Sequence, residues 1–331
     1  MTACAIDTLG LKSRYLYFMR TTIFSLTIFL SIVFFPFLAF ATSYPFAPSQ
    51  RLVGQTQFIV LQKQHAQIDH LARSYDIGFD ALLAANPILT SSHPNKYGTV
   101  ILLPTFLIVP DIKPNQVVIN IAEKRMFFYH AKSQRLYVWP VGVGREQHMT
   151  PLGQFSIVRK RYKPIWYVPE NTLKEAHAKG IVDHPSIFEH SPINPLGEYA
   201  LNLSKPTYLI HGTHNASHVG TRNTSGCVNL YPEDIAEAYP LLSNGTSVKI
   251  INTPVKSYRQ GHHLYIEVHH PLTDDPITDL LSTQKENLLL SLDTKTRTLV
   301  NHLEFLDKLE DNLQNTTGIP FVVDLYEPNI R

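Results

Sequence analysis

Hydrophobic and polar positions divide the chain into stretches that predict different elements. Residues 22–40 are almost entirely apolar and carry no charge. Between about 56 and 110, short apolar runs enclose helical periodicity. Residues 58–61 form a strand candidate, Ile68, Leu71, Ala72 and Tyr75 recur at helical spacing, and Phe79, Leu82, Leu83 and Ala84 mark a second helix. That helix should stop at Asn86-Pro87, because proline disfavours helix at the residue before it. Residues 100–103 then close the unit as a strand. Further on, 117–121 pairs plausibly with 126–129 through a turn at Glu123-Lys124, 136–141 is a third strand ending at Gly142 and Gly144, and 154–158 follows a turn at Thr150-Pro151. Closely spaced strands with Gly/Pro turns suggest an all-β sandwich or barrel.

Residues 159–200 read as irregular and rich in proline and aromatics, including Trp166, Tyr167 and Phe188. Long loops are disproportionately functional, so this stretch is either a flap over a cleft or a packed excursion. Strand character resumes at 199–203. Pro232-Glu233-Asp234 should open a helix, since proline and acidic residues suit a first turn, and 247–251 is a last strand. In the tail, 265–268 alternates like a strand, and leucines from Leu280 to Leu313 predict one or two amphipathic helices between about 277 and 314. Their span is too short for a lasting coiled coil. A helical hairpin docked on the domain is the expectation there, ahead of a partner-binding arm.

The first apolar run, preceded by Lys12, Arg14 and Arg20 and followed by Ala39-Phe40-Ala41, has the three parts of a cleavable export signal. An uncleaved anchor is the alternative, since the run nearly spans a bilayer. Either way the rest is expected outside the cytoplasm. Charge is close to balanced, with 29 Lys+Arg against 27 Asp+Glu. No basic block suggests nucleic acid. Cys4 lies ahead of the apolar run, in the part expected to be removed, and Cys227 is the only other cysteine, so the mature fold must rest on its own core without disulfides.

The stretch 208–230, YLIHGTHNASHVGTRNTSGCVNL, concentrates the candidate chemistry. An apolar strand delivers His211, and Cys227 follows sixteen residues later. A lone thiol kept in an exported protein, with a histidine to deprotonate it, reads as a cysteine nucleophile and its general base. His211, His214 and His218 raise a zinc site, but their spacing fits no standard signature, so no metal or other cofactor is expected. His214 and His218 read as loop histidines, and Trp166, Tyr167 and Tyr208 as aromatic packing or cleft lining.

HGT followed after a gap by GTRNTSGCVNL resembles the active-site motif of the L,D-transpeptidases (the YkuD catalytic domain): histidine, a spacer, then Ser/Thr-His-Gly-Cys, a hydrophobic residue and Asn or Arg. TPLGQF, PIWYVP, NPLGEYAL and YIEVHHPL are similar to the periplasmic Gram-negative branch, and IDHLARSYDIGFDALLAANP with YGTVILLP resembles a LysM module. A packing subdomain that binds no glycan is the bland alternative for that module. The resemblance implies a signal peptide at 1–41, a small α+β LysM-like module at 42–110, a mainly β catalytic domain of the YkuD sandwich type at 111–253, and a C-terminal extension of a strand plus helices at 254–331.

It also implies roles. Cys227 would attack the meso-diaminopimelate–D-alanine bond of a peptidoglycan tetrapeptide stem, with His211 as base, the Gly212 carbonyl orienting the imidazole, and N–H groups of Gly226 and Cys227 as oxyanion donors. A cationic His211 would lower the thiol pKa. Arg222 would hold a stem-peptide carboxylate, with Ser225, Asn229 and Tyr208 on the substrate side. Two departures stand out: Ser225 replaces the histidine before Gly-Cys, and Asn229 stands where the Gram-negative branch has arginine. The acceptor would be another stem peptide, the lysine of an outer-membrane lipoprotein, or water. A monomer is expected, and carbapenem acylation of Cys227. A wall-binding protein with catalysis lost at Ser225 is the reading from a different class.

Overall fold

The computed structural model describes residues 42–62, 67–89, 96–275, 277–300 and 303–325. The expected export signal at 1–41 lies outside them. Among the described residues no helix is long and apolar enough to cross a membrane.

The apolar runs of the middle of the chain build one nine-stranded sheet. Its order is Thr42–Pro45, Arg135–Pro140, Arg125–His130, Val117–Asn120, Ser247–Ile251, Gly153–Tyr162, Tyr199–Leu203, Leu209–His211 and Val228–Asn229. Neighbours are antiparallel except Val117–Asn120 with Ser247–Ile251 and Leu209–His211 with Val228–Asn229. The long strand Gly153–Tyr162 serves two partners. Its first residues pair with Ser247–Ile251, and those from Ile157 onward pair with Tyr199–Leu203, with a register shift between Ile157 and Arg159. Such a shift bends a strand, and the sheet curls. Its last strand returns to the chain leaving Arg135–Pro140, where Gly142 and Asn229 exchange N–H···O bonds of 2.9 and 3.1 Å.

The protein is therefore mainly β, and the two layers of the expected sandwich are two halves of one curled sheet. Val117, Ile119, Met126 and Trp139 from one half meet Leu201, Ile210 and Val228 from the other, with Ile235 and Ala238 of the helix Pro232–Leu241 in the same core. That helix opens as the sequence predicts, with proline in its first turn beside Glu233 and Asp234.

Thr42–Pro45 reaches the main sheet before the chain enters the front module, so residues 42–110 straddle two bodies of structure. The module itself is a strand Gln57–Val60, helices Ile68–Ser74 and Phe79–Ala85, and a strand Val100–Leu103 paired with the first. Leu61, Ala72, Ile77, Leu82, Ile101 and Leu103 form its own core. Buried Asn86 ends the second helix: its Nδ2 donates to the Leu82 and Leu102 carbonyls and its Oδ1 accepts from the Leu102 N–H.

The C-terminal extension differs from the expected helical hairpin. Val255–Gln260, His263–Val268 and Phe321–Asp324 make a three-stranded sheet. Four short helices, Leu280–Ser291, Thr294–Val300, Leu303–Asp307 and Glu310–Gln314, accompany that sheet. Leu288, Leu292, Val300, Leu306 and Leu313 share a core with Leu264 and Ile266. The leucines thus cover this extension's own sheet. Asp293 breaks the run by capping the second helix, its carboxylate accepting from Thr296 N–H and Oγ–H.

The stretch between Tyr162 and Tyr199 is more ordered than its composition suggests. Trp166–Tyr167 pairs with Ile187–Phe188, and Glu170–Ala178 is a helix in which only Ala176 is fully buried.

Candidate active site

Strand register places the two expected catalytic side chains. Ile210 pairs with Val228 and His211 with Asn229, and Ile210 and Val228 both enter the core. Side chains alternate across a strand, so His211 belongs to the opposite face, and Cys227 directly precedes the strand Val228–Asn229. The row through His211 continues across Ala200 to Arg161.

His211 is buried, and its Nδ1 lies 2.5 Å from the Gly212 carbonyl oxygen. A carbonyl only accepts, which assigns the proton to Nδ1 and leaves Nε2 with a free lone pair. Gly212 is fixed in turn: its N–H donates to Tyr199 O, and a Cβ there would meet Ile235 at 3.0 Å. Burial lowers the His211 pKa to about 4, opposed by the Gly212 bond and reinforced by Arg161. Cys227 is half-buried, with Sγ 3.7 Å from Thr207 O. Packing around the sulfur pushes its pKa up to about 11, with the Leu209 backbone pulling the other way. Burial thus works against charge on both groups.

The turn into Cys227 is closed by Thr224. Its hydroxyl donates to Cys227 O at 2.6 Å and accepts from Gly226 N–H at 3.2 Å. Gly226 has φ +101°, and a Cβ on it would lie 2.8 Å from the Tyr208 ring. Only glycine suits that backbone beside that ring. The Gly226 N–H, expected as an oxyanion donor, is thus engaged within the turn.

Ser225 is exposed and accepts a 2.7 Å bond from Arg145 Nη1. Arg145 Nη2 pairs with Glu175 Oε2 on the helix Glu170–Ala178, and Glu175 Oε1 lies 3.1 Å from His148 Nε2. A guanidinium and an imidazole so converge on one carboxylate, and the same guanidinium bonds Ser225, two residues along the chain from the thiol. The loop carrying them is pinned where Gly144 N–H donates to Thr150 Oγ1.

Residues 114–250 match the family model of the L,D-transpeptidase catalytic domain. The chain is 34% identical over 246 residues to the probable L,D-transpeptidase YcfS of Escherichia coli, covering 71% of this chain and 76% of the relative. It is 32% identical over 296 residues to the probable L,D-transpeptidase YbiS of the same species, covering 88% and 94%. A third relative, the probable L,D-transpeptidase ErfK/SrfK of Salmonella typhimurium, is 34% identical over 251 residues, covering 72% and 80%. The chain belongs to the L,D-transpeptidase family.

In this L,D-transpeptidase the remaining expected site residues are largely committed to structure. Arg222 donates from Nε to Gly144 O, from Nη1 to Thr273 O and from Nη2 to Asp274 Oδ1. Its guanidinium ties the segment before Cys227 to Gly144 and to the C-terminal extension. Asn229 is buried, and its Oδ1 accepts from Gly142 N–H where the sheet closes. Tyr208 is half-buried against Gly226, with Lys205 Nζ 5.2 Å from its ring centre. His214 is exposed, and His218 bonds Asn215 within its loop. The group of metal-type side chains that does converge among the described residues is Glu123, Glu267 and His269, in which Lys256 already bonds both carboxylates.

Arg145, His148, Glu175 and Arg161 were not evident from the motif. Arg145 and His148 lie in GREQHMTP, between a glycine and a proline turn, some eighty residues before Ser225. A cleft of about 540 Å³ lies between front module, sheet and extension, lined in part by Asp80, Lys124, Arg222, His270 and Thr273.

Proposed function

We propose that this family member is a peptidoglycan L,D-transpeptidase that uses Cys227 as nucleophile and His211 as base. The observation that carries the reading is the His211 geometry: Nδ1 beside the Gly212 carbonyl, which leaves Nε2 to accept a proton, with Cys227 directly before the strand that pairs with Leu209–His211. Burial opposes charge on the thiol and on the imidazole alike. Transfer therefore accompanies attack instead of preceding it. Sγ bonds to the carbonyl carbon between meso-diaminopimelate and D-alanine while its proton moves to Nε2. The C–N bond then breaks, that proton leaves on the D-alanine amine, and a thioester remains. An acceptor amine reverses the sequence: it gives a proton to His211, forms the new amide, and expels the sulfur.

Acceptors consistent with this chemistry are a second stem peptide and a protein lysine, such as that of an outer-membrane lipoprotein. Water as acceptor gives the carboxypeptidase or amidase reaction. The front module, whose order of strand, two helices and strand resembles LysM, would bind the glycan, and the periplasm is the compartment that suits both substrate and export signal. The test is purified protein with a disaccharide-tetrapeptide, read by mass spectrometry. Loss of D-alanine with a crosslinked dimer supports transpeptidation. Loss without a dimer, rescued by a lysine peptide, supports a protein acceptor. No D-alanine release, with substrate still bound, would overturn the enzyme reading in favour of a wall-binding protein.

A further inference from the structure

The Arg145 cluster has the form of an occupied carboxylate site. Glu175 presents one oxygen to the Arg145 guanidinium and the other to His148 Nε2, and the second Arg145 nitrogen holds the Ser225 hydroxyl. Planar guanidinium forks are suited to carboxylates. The occupant is replaceable by construction. Arg145 and Glu175 side chains remain 31% and 36% exposed, and the helix that carries Glu175 buries only Ala176. Two other cations near the thiol in sequence are already engaged. Arg222 spends its three donors on Gly144, Thr273 and Asp274, and Lys205 is exposed over the Tyr208 ring.

We propose that Arg145, His148 and Ser225 form the subsite for a carboxylate of the donor stem peptide, and that Glu175 fills it as an internal stand-in until substrate displaces it. The inference rests on the transpeptidase reading for the identity of the donor. A stem peptide offers two carboxylates near the scissile bond, the terminal one of D-alanine and the free one of meso-diaminopimelate. The terminal carboxylate is separated from the scissile nitrogen by one carbon. Ser225 is two residues from the thiol along the chain, which keeps the subsite within reach of either carboxylate. Substrate binding is then an exchange: Arg145 drops Glu175, and the helix Glu170–Ala178 loses the ion pair that holds it to the Gly144–Thr150 loop.

The experiment measures equilibrium binding to the full chain in a Cys227→Ala background, where turnover cannot interfere. The ligands are the tetrapeptide, its D-alaninamide analogue, and an analogue amidated on meso-diaminopimelate. Losing a charge-assisted pair should weaken tetrapeptide binding roughly ten- to hundredfold in Arg145→Ala. Glu175→Ala should tighten it several-fold, a gain that misfolding cannot produce. One of the two amidated analogues should bind the Arg145 chain as weakly as the tetrapeptide binds Arg145→Ala, and should lose nothing further in that variant. That analogue identifies which carboxylate is held. Equal affinities for all three ligands, with neither substitution changing them, would overturn the subsite. D-Alanine release by the unsubstituted protein reports separately on the transpeptidase reading.

Discussion

Gly226 and His211 show how single residues set the chemistry. Gly226 sits at φ +101° with the Tyr208 ring where a Cβ would be. Gly226→Ala should cost about 1–3 kcal/mol in backbone strain and displace the thiol. Urea unfolding and carbapenem acylation followed by intact mass should report both losses together. His211 and Cys227 make a prediction about pH. A thiol held near 11 should be alkylated by iodoacetamide slowly at neutral pH, with a rate that keeps climbing through pH 9 and 10. A plateau at neutral pH would instead reveal a preformed thiolate. The His211 value near 4 also enters stability. The unfolded imidazole takes up a proton below about 6.5 while the folded one resists until about 4. Its contribution is full above 6.5 and is lost as pH falls through that window, on the order of 3 kcal/mol. His211→Gln should flatten that acid limb in a melting series. At this scale the motif made Cys227 and His211 legible, because His211 ends an apolar strand and Cys227 directly precedes another. Their protonation states were not legible, since burial depends on elements far away in the chain.

Elements explain why other motif residues have different work from the one the sequence suggested. Arg222 stands five residues before the thiol, yet its guanidinium reaches Thr273 and Asp274 of the extension. Arg222→Ala should therefore lower the melting temperature by a few degrees, in line with about 1–3 kcal/mol for bonds from a charged donor. Donor KM should stay within about twofold. A large KM increase at unchanged stability would return Arg222 to the substrate side. Asn229 likewise closes the sheet at Gly142. The strands were readable because alternation and Gly/Pro turns are local signals. The Glu170–Ala178 helix was not, since it is short, lies among proline- and aromatic-rich segments and buries only Ala176. Phe321–Asp324 was missed for a related reason: it is four residues long and acquires strand character from its partner His263–Val268.

At the scale of the molecule, a buried charge network joins three parts that the sequence presents as separate. Glu123 and Arg125 belong to the main sheet and its first turn, while Lys256, Glu267 and His269 come from the extension. Ile108 and Pro104, from the end of the front module, contribute backbone. Lys256 Nζ bonds Glu123, Glu267 and Ile108 O. Arg125 bonds both carboxylates and Pro104 O, and Ile108 N–H donates to Glu267. Burial alone would raise the Glu267 pKa, but Lys256, the His269 bond and Arg125 hold it at about 2. Two carboxylates against two cations balance only while every member is present. Replacing one partner of a buried pair strands its counter-charge, at about 3–5 kcal/mol. Lys256→Met should cost that much in urea unfolding, and adding Glu123→Gln should recover part of it by removing the stranded charge. Because backbone of the front module and side chains of the extension share this network, calorimetry of the unsubstituted protein should give a single transition. Lys256→Met should separate the extension from the sheet into two. A Lys256→Met chain that unfolds at the original midpoint in one step would mean that apolar contacts alone hold the three parts together.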